Sequence, residues 1–293
     1  MKVAKKQFLG LASESISFQD AQVVILPLEY EGGVSFGKGT SRGPEAVIEA
    51  SNHLELYDEV LDTEPCSVGI CTIDPPDLPD DSEQMIYAVH ELTKSCLDQN
   101  KFVVSIGGDH SITSATFKAF ADTYGSVSVV QFDAHADLRD TYEDSPHSHA
   151  CVMSRILEMT SHSLQIGIRS LSAKEAQRIK DEQLRVGMMH QIRTGIFDLE
   201  SELQVLPDPV YITFDVDVSD WSVIRSTGTP EPGGLLWDET IQMLTTLFSR
   251  KNVIGFDVVE LSHDTQDINS AFAAAKLVYK MIGLKFFGGM SSQ

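Results

Sequence analysis

Short apolar runs recur along the chain. Each is bounded by Gly, Pro, Asp or Ser, and most are followed by a stretch whose apolar positions repeat every three or four residues. Near-continuous apolar runs read as strands buried on both faces, and the 3.6-period stretches read as amphipathic helices. Their alternation predicts a parallel sheet with crossover helices. Strands are predicted over 23–26, 102–106, 127–132, 164–168, 210–216 and 253–258. Helices are predicted over 43–53, 81–97, 111–124, 149–160, 172–184, 238–249 and 268–283. Pro44 sits at the start of the first helix, where its missing N–H costs nothing. Ile86, Val89, Leu92 and Cys96 give the second its apolar stripe. Residues 74–82, rich in Pro and Asp, and residues 219–234 follow no regular pattern. The second segment is long for a structureless connection, and such loops inside compact domains are usually functional. There is no repeat, low-complexity tract or linker-like shift in composition. The expectation is one domain over 1–293, with its core at about 23–283. The expected fold class is α/β: three layers, α/β/α, around a mainly parallel sheet.

Composition narrows the partners. The 293 residues are 42% hydrophobic, enough for a sizeable core, and the formal net charge is −21. Nucleic acid and anionic membranes attract positive fields, so neither is expected as a partner. The acidic surplus suits either a cationic substrate or plain solubility, and acidic metal ligands would account for part of it. Cys66, Cys71, Cys96 and Cys151 have neither zinc-ribbon nor CxxC spacing, so reduced thiols are expected. The basic N-terminus lacks an apolar signal core, and no apolar stretch is long enough to span a bilayer. A cytoplasmic location is the expectation.

Candidate chemistry collects where three of the apolar runs end. Gly107-Gly108-Asp109-His110 follows the run at 102–106, Asp133-Ala134-His135-Ala136-Asp137 follows 127–132, and Asp215-Val216-Asp217 closes 210–216. Open parallel sheets build their sites at such strand ends. Four carboxylates with two imidazoles suit Mn²⁺ or a similar hard divalent ion. One ion would not need six such ligands, so two ions sharing bridging carboxylates are expected. A pair about 3.5 Å apart can make hydroxide from water at neutral pH. Strand side chains alternate, so Asp133, His135 and Asp137 would share a face if the strand continued through them, as would Asp215 and Asp217. Any one of these Asp residues could be a turn or helix cap; three groups at three strand ends point to a binuclear metallohydrolase. Gly107 and Gly108 would permit a tight turn before His110. Asp109 would either orient the His110 ring or cap the helix beginning near Ser111.

Several runs together resemble the ureohydrolases, the family of arginase, agmatinase and formimidoylglutamase. They are Gly-Gly-Asp-His-Ser at 107–111, Phe-Asp-Ala-His-Ala-Asp at 132–137, Ser-His-Ala at 148–150 and Phe-Asp-Val-Asp-Val at 214–218. Thr-Gly-Thr-Pro-Glu-Pro-Gly-Gly at 227–234 and Gly-Lys-Gly-Thr-Ser-Arg-Gly-Pro at 37–44 extend the likeness, which runs from about 23 to 283 with the motifs in order. The resemblance implies an eight-stranded sheet and a homo-oligomer, a trimer or hexamer. It implies two Mn²⁺ per subunit: one on His110, Asp133, Asp137 and Asp215, the other on His135, Asp133, Asp215 and Asp217, with Asp133 and Asp215 bridging. A metal-activated hydroxide would attack the guanidinium carbon, with Asp137 orienting it. His149 would serve as proton shuttle, in preference to neighbouring His147, because an imidazole exchanges protons near pH 7. Glu260 would receive the planar guanidinium through paired hydrogen bonds. Asp257 in the same run would be structural or support the site, and Thr229 would help position Glu260.

The distal part of the substrate separates members of this family. The loop at 138–149 lacks the Ser-Gly-Asn-like segment expected of an arginase and carries Asp140, Glu143 and Asp144. Acidic groups there, Asp144 among them, would suit a cationic tail, and the motifs are most like those of agmatinases. Agmatine hydrolysis to putrescine and urea, a step of polyamine synthesis, is therefore the leading expectation. Aminopropylagmatine, guanidinobutyrate, guanidinopropionate, arginine and formimidoylglutamate stand as alternatives. Where the family usually has prolines, this chain has Asp220-Trp221 and Arg225-Ser226, with Trp221 and Arg225 in place of the prolines. Trp221 and Arg225 could line an altered pocket or cover a subunit contact. A metal-binding homologue without catalysis, and a zinc deacetylase-like hydrolase, are the competing readings; the paired ligand pattern, His149 and Glu260 argue against both.

Overall fold

The computed structural model describes residues 1–11 and 17–289. Its centre is one eight-stranded sheet in the order β2-β1-β3-β8-β7-β4-β5-β6, and every strand pairing is parallel. The strands are β1 (Val23–Leu28), β2 (Ile70–Thr72), β3 (Phe102–Gly107), β4 (Ser128–Phe132), β5 (Ser163–Ile168), β6 (Arg185–Met188), β7 (Val210–Asp215) and β8 (Val253–Val259). Every residue of β1, β3, β4, β5, β7 and β8 is buried, as continuous apolar runs require.

Helices cover both faces. Helices α1 (Gly43–Ser51), α7 (Leu199–Val205), α8 (Trp237–Arg250) and α9 (Ile268–Phe287) pack into one apolar core. Helices α2 (Ser82–Leu97), α3 (Ile112–Tyr124), α4 (Val152–Leu157) and α5 (Ala173–Asp181) pack into the other. The short α6 (Met189–Arg193) adds Met189 to the first. The three-layer expectation holds. The predicted strands and most predicted helices recur within a few residues. Edge strands β2 and β6 and helices α6 and α7 are additions to the sequence reading, and the helix expected over 149–160 is a 3₁₀ turn (His149–Cys151) followed by α4.

What positions the site is the order of the four central strands. The chain leaves β3, crosses to β4, and later fills the gap between them with β8 and β7. Ile106 aligns with Val258, Val258 with Phe214, and Phe214 with Phe132. The four strands therefore end nearly flush. Beyond that apolar row the chain presents Asp133, Asp215 and Glu260 at one sheet edge, the C-terminal edge where open α/β sheets hold ligands.

Candidate active site

His110 follows β3 across two glycines. A side-chain carbon on Gly108 would lie 1.9 Å from the Tyr30 carbonyl oxygen, and one on Gly107 would lie 2.8 Å from Val259 Cγ1. Neither glycine has positive φ. They are required for close approach, not for the tight turn expected from sequence. The His110 ring is fully inside the protein. Its Nε2 lies 2.8 Å from Thr213 Oγ1, and that hydroxyl donates to Asp257 Oδ1 at 2.6 Å. Thr213 can therefore only accept from the ring, which puts the proton on Nε2 and leaves the Nδ1 lone pair free. Nδ1 faces Asp133 and Asp137 at 3.2 Å each and Asp215 at 3.3 Å.

The period-two expectation fails while the convergence holds. β4 stops at Phe132, and the backbone then folds back, with Asp137 at φ +52°. The His135 N–H donates to Asp133 Oδ1 at 2.6 Å, and the Ala134 N–H donates to Asp217 Oδ1 at 3.0 Å. His135 Nδ1 lies 2.9 Å from Asp217 Oδ2 and 3.6 Å from Asp133 Oδ1. Asp215 closes β7, and its Oδ1 accepts from the Asp217 N–H at 2.8 Å as the chain enters a 3₁₀ turn (Val216–Val218). Gln131 Nε2 fixes Asp133 Oδ2 at 2.6 Å and is itself gripped by Gln165. The sequence reading missed these glutamines; two polar residues within buried strands were the available signal.

Two overlapping ligand sets result. His110, Asp133 and Asp137 form one, and Asp133, His135 and Asp217 form the other; within each, the ligand atoms lie within 4.8 Å of one another. Asp133 is common to both, the place a bridging ligand would take. Asp215 adjoins the first set through His110. The residues fit divalent ions in one respect above all: His110 Nδ1 is a buried atom with no hydrogen-bond partner that faces three carboxylates. The electrostatics agree. Burial alone would lower both histidine pKa values, but the surrounding carboxylates override it. His110 is pushed well above its usual range, and His135 up to about 12. Burial, and then the charge of Asp133, raises Asp137 to about 7. A cage this rich in carboxylate holds protons where a cation would otherwise sit.

Glu260 sits one residue past β8 at φ +67°, fully buried. Its Oε1 accepts from the His110 N–H at 2.8 Å and faces His149 Nδ1 at 3.1 Å. Its Oε2 is buried without a partner. His149 is only 8% exposed. Burial opposes its charge, but Glu260 outweighs this and holds the imidazolium up to about 9. His149 lines a cavity of about 280 Å³ together with Ser35, His135, Asp137, Asp215 and Thr229. His147 does not line it. Thr229 lies 3.4 Å from Asp217 Oδ2 and so supports that carboxylate rather than Glu260.

Other expected residues lie elsewhere. Asp144 and Glu143 are exposed, Asp140 pairs with Arg178 at 3.6 Å, and none of the three lines the cavity. The outer wall instead carries Glu175, Arg139 and Tyr142, with the Arg139 guanidinium stacked 4.8 Å over the Tyr142 ring. Trp221 is 49% exposed, and Arg225 reaches Asp267 at 3.2 Å ahead of α9. Neither reshapes the cavity. Asp109 does not touch His110; its carboxylate accepts from the Gly33 and Ser111 N–H groups at 2.7 and 2.9 Å. Asp257 supports the site through Thr213, as anticipated. Arg169, which the sequence reading missed, donates to the backbone carbonyls of Asp217 and Glu231 at 2.7 and 2.8 Å. It thereby ties the irregular 219–234 segment against the ligand loop. No helix among the described residues is long and apolar enough to cross a membrane.

Comparison with known proteins agrees with this geometry. Residues 21–283 match the arginase family model. The chain is 40% identical to the N(1)-aminopropylagmatine ureohydrolase of Synechocystis sp., covering 95% of this chain and 93% of that protein. It is 35% identical to the agmatinase of Pyrococcus horikoshii, over 92% and 94%. The agmatine ureohydrolase of Thermoplasma volcanium superposes with a TM-score of 0.86 at 26% identity, covering 96% of this chain and 94% of that one. Members of the matched family are typically binuclear manganese enzymes. With its cage of Asp and His beside a buried, half-vacant carboxylate, the chain belongs to the arginase family of ureohydrolases and is a hydrolase of guanidino C–N bonds.

Proposed function

We propose that the protein binds two Mn²⁺ in the cage of His110, Asp133, His135, Asp137, Asp215 and Asp217, and releases urea from a guanidino compound with a cationic tail. Aminopropylagmatine is the first candidate and agmatine the second. The observation that carries the reading is Glu260 Oε2, a buried carboxylate oxygen without a partner beside the cage. An unpaired buried carboxylate oxygen is costly, and a guanidinium is the group whose planar N–H fork repays it. The metals supply a nucleophile of hydroxide strength at neutral pH, which a resonance-stabilised guanidinium carbon demands. The chain's own residues do the rest. Glu260 seats and orients the guanidinium, and Asp137 aims the attacking water. His149 gives a proton to the amine that departs as the tetrahedral carbon collapses to urea.

On the outer wall Glu175 is already engaged, accepting from the Leu138 and Ser172 N–H groups at 3.0 and 2.7 Å and lying 3.9 Å from Arg139, so the cationic tail is supported by the similarity to aminopropylagmatine ureohydrolases and agmatinases. The similarity to aminopropylagmatine ureohydrolases puts the longer polyamine first, and that to agmatinases keeps agmatine second. The test is urea release across aminopropylagmatine, agmatine, arginine and guanidinobutyrate. The two cationic-tailed compounds are expected to lead, with Glu260→Gln lowering kcat/KM by at least about 100-fold, the range typical of losing a charged partner in a buried pair. Preference for a carboxylate tail, or an active Glu260→Gln enzyme, would refute the reading.

A further inference from the structure

The segment from Gly33 to Gly39 contributes Ser35 to the cavity wall, and both of its ends are fixed. At one end the Gly33 N–H donates to Asp109 at 2.7 Å, and the Gly33 carbonyl accepts from the His149 N–H at 3.2 Å. At the other, the Glu31 carboxylate accepts from the Gly39 and Ser41 N–H groups at 2.7 and 3.0 Å. Between them the Gly37 N–H donates to the Gly228 carbonyl at 3.0 Å. A side-chain carbon on Gly37 would lie 2.6 Å from that carbonyl oxygen, so the contact requires glycine. Phe36 is 79% exposed, which places the strap at the surface. Its one side chain in contact with the proton-handling machinery is Ser35, whose Oγ lies 2.8 Å from His149 Nε2.

His149 has two nitrogens, and Nδ1 is engaged by Glu260 at 3.1 Å. Any proton the ring gives up or takes back must then pass through Nε2, which faces Ser35. A hydroxyl both donates and accepts, so it can pass a proton on without holding charge. We propose that Ser35 is the relay between His149 and the leaving amine. The Nε2–H bond breaks as its proton moves to Ser35 Oγ, and the original Ser35 hydroxyl proton passes to the amine nitrogen, which keeps the electron pair of the breaking C–N bond and departs as the neutral amine. The hydroxyl proton of the tetrahedral carbon, freed as the urea carbonyl forms, then converts that amine to the ammonium. The proton freed when water becomes the nucleophile returns through the same hydroxyl and recharges the ring. Each turnover balances with no further donor. Asp109, next to His110 yet not bonded to it, gains a role as the anchor of the strap that carries Ser35.

The inference rests on His149 being the proton donor, so the test separates the two. Mn²⁺-loaded wild type, Ser35→Ala, Ser35→Thr and His149→Asn are compared on aminopropylagmatine and agmatine, with metal content measured for each. Loss of a positioned proton donor costs about 10²–10⁴-fold, so His149→Asn should fall in that range, and Ser35→Ala should lose about 10- to 100-fold in kcat. KM and metal content should stay unchanged in Ser35→Ala, and Ser35→Thr, which keeps the hydroxyl, should remain active. Added imidazole should restore much of the Ser35→Ala rate, which a merely structural role would not allow. A slow His149→Asn beside a fast Ser35→Ala, or a Ser35→Ala defect that imidazole leaves untouched, overturns the relay alone. An unimpaired His149→Asn overturns both.

Discussion

His110 can offer a bare nitrogen to three carboxylates because its other nitrogen is committed. The commitment runs through Thr213 to Asp257, whose second oxygen accepts from Tyr211 at 2.6 Å. Asp257→Asn would let Thr213 donate to the ring instead, and the His110 tautomer would lose its direction. Partners that orient a ligand are typically worth about 10–100-fold in metal affinity, and that is the expected loss, read by Mn²⁺ titration of the metal-free protein. The second consequence concerns pH. His149 is held up to about 9 by Glu260 against the effect of burial. It therefore stays protonated below that pH and, in the proposed role of proton donor, would cease to serve above it. The kcat profile should fall as pH rises through about 9, and the residual activity of His149→Asn should lack that limb. At this scale the sequence was most legible where residue type dictates chemistry: the six ligand candidates, His149 and Glu260 all come to one place. It was least legible where orientation decides. Asp144 has a suitable charge but points to solvent, Thr229 serves Asp217 rather than Glu260, and nothing local marks Ser35 or Glu175 as facing the cavity.

The elements explain why residues so distant in sequence meet. The apolar row from Ile106 through Val258 and Phe214 to Phe132 aligns four strand ends, and every candidate ligand lies within a few residues beyond it. The apolar runs that build this row are continuous, which is why those strands could be read directly. Strand β2 has only three residues, and β6 is half exposed, so neither carries enough apolar signal to stand out. The sequence also suggested strand alternation as the reason that Asp133, His135 and Asp137 converge. A loop does this instead, closed by side-chain to backbone hydrogen bonds and a positive φ at Asp137 that period counting cannot detect. The seam between β3 and β1 gives a direct stability prediction. Gly108→Ala drives a methyl into the Tyr30 carbonyl, 1.9 Å from its ideal position. Overpacking of this kind costs about 1–3 kcal/mol. Thermal unfolding of the variant should begin several degrees lower, with weakened metal binding as His110 is displaced.

Across the whole molecule, an acidic chain of net charge −21 surrounds a cavity whose floor is carboxylate. Such a field raises the local concentration of a polycation and opposes an anionic tail. The bulk charge was legible from composition; its placement was not, because composition does not say which acids face the cavity and which face solvent. The two cores on either face of the sheet leave its C-terminal edge as the place where buried charge collects, and the proposed cations would make that collection tolerable. The central claim is that two ions and the guanidinium seat work as one device. It is tested most directly by titrating Mn²⁺ into metal-free protein while following urea release from aminopropylagmatine. The rate should climb until two equivalents are bound, with protons released as the ions displace them from the cage. A rate already full at one equivalent, or two ions bound with no urea formed from any cationic guanidino compound, would contradict it.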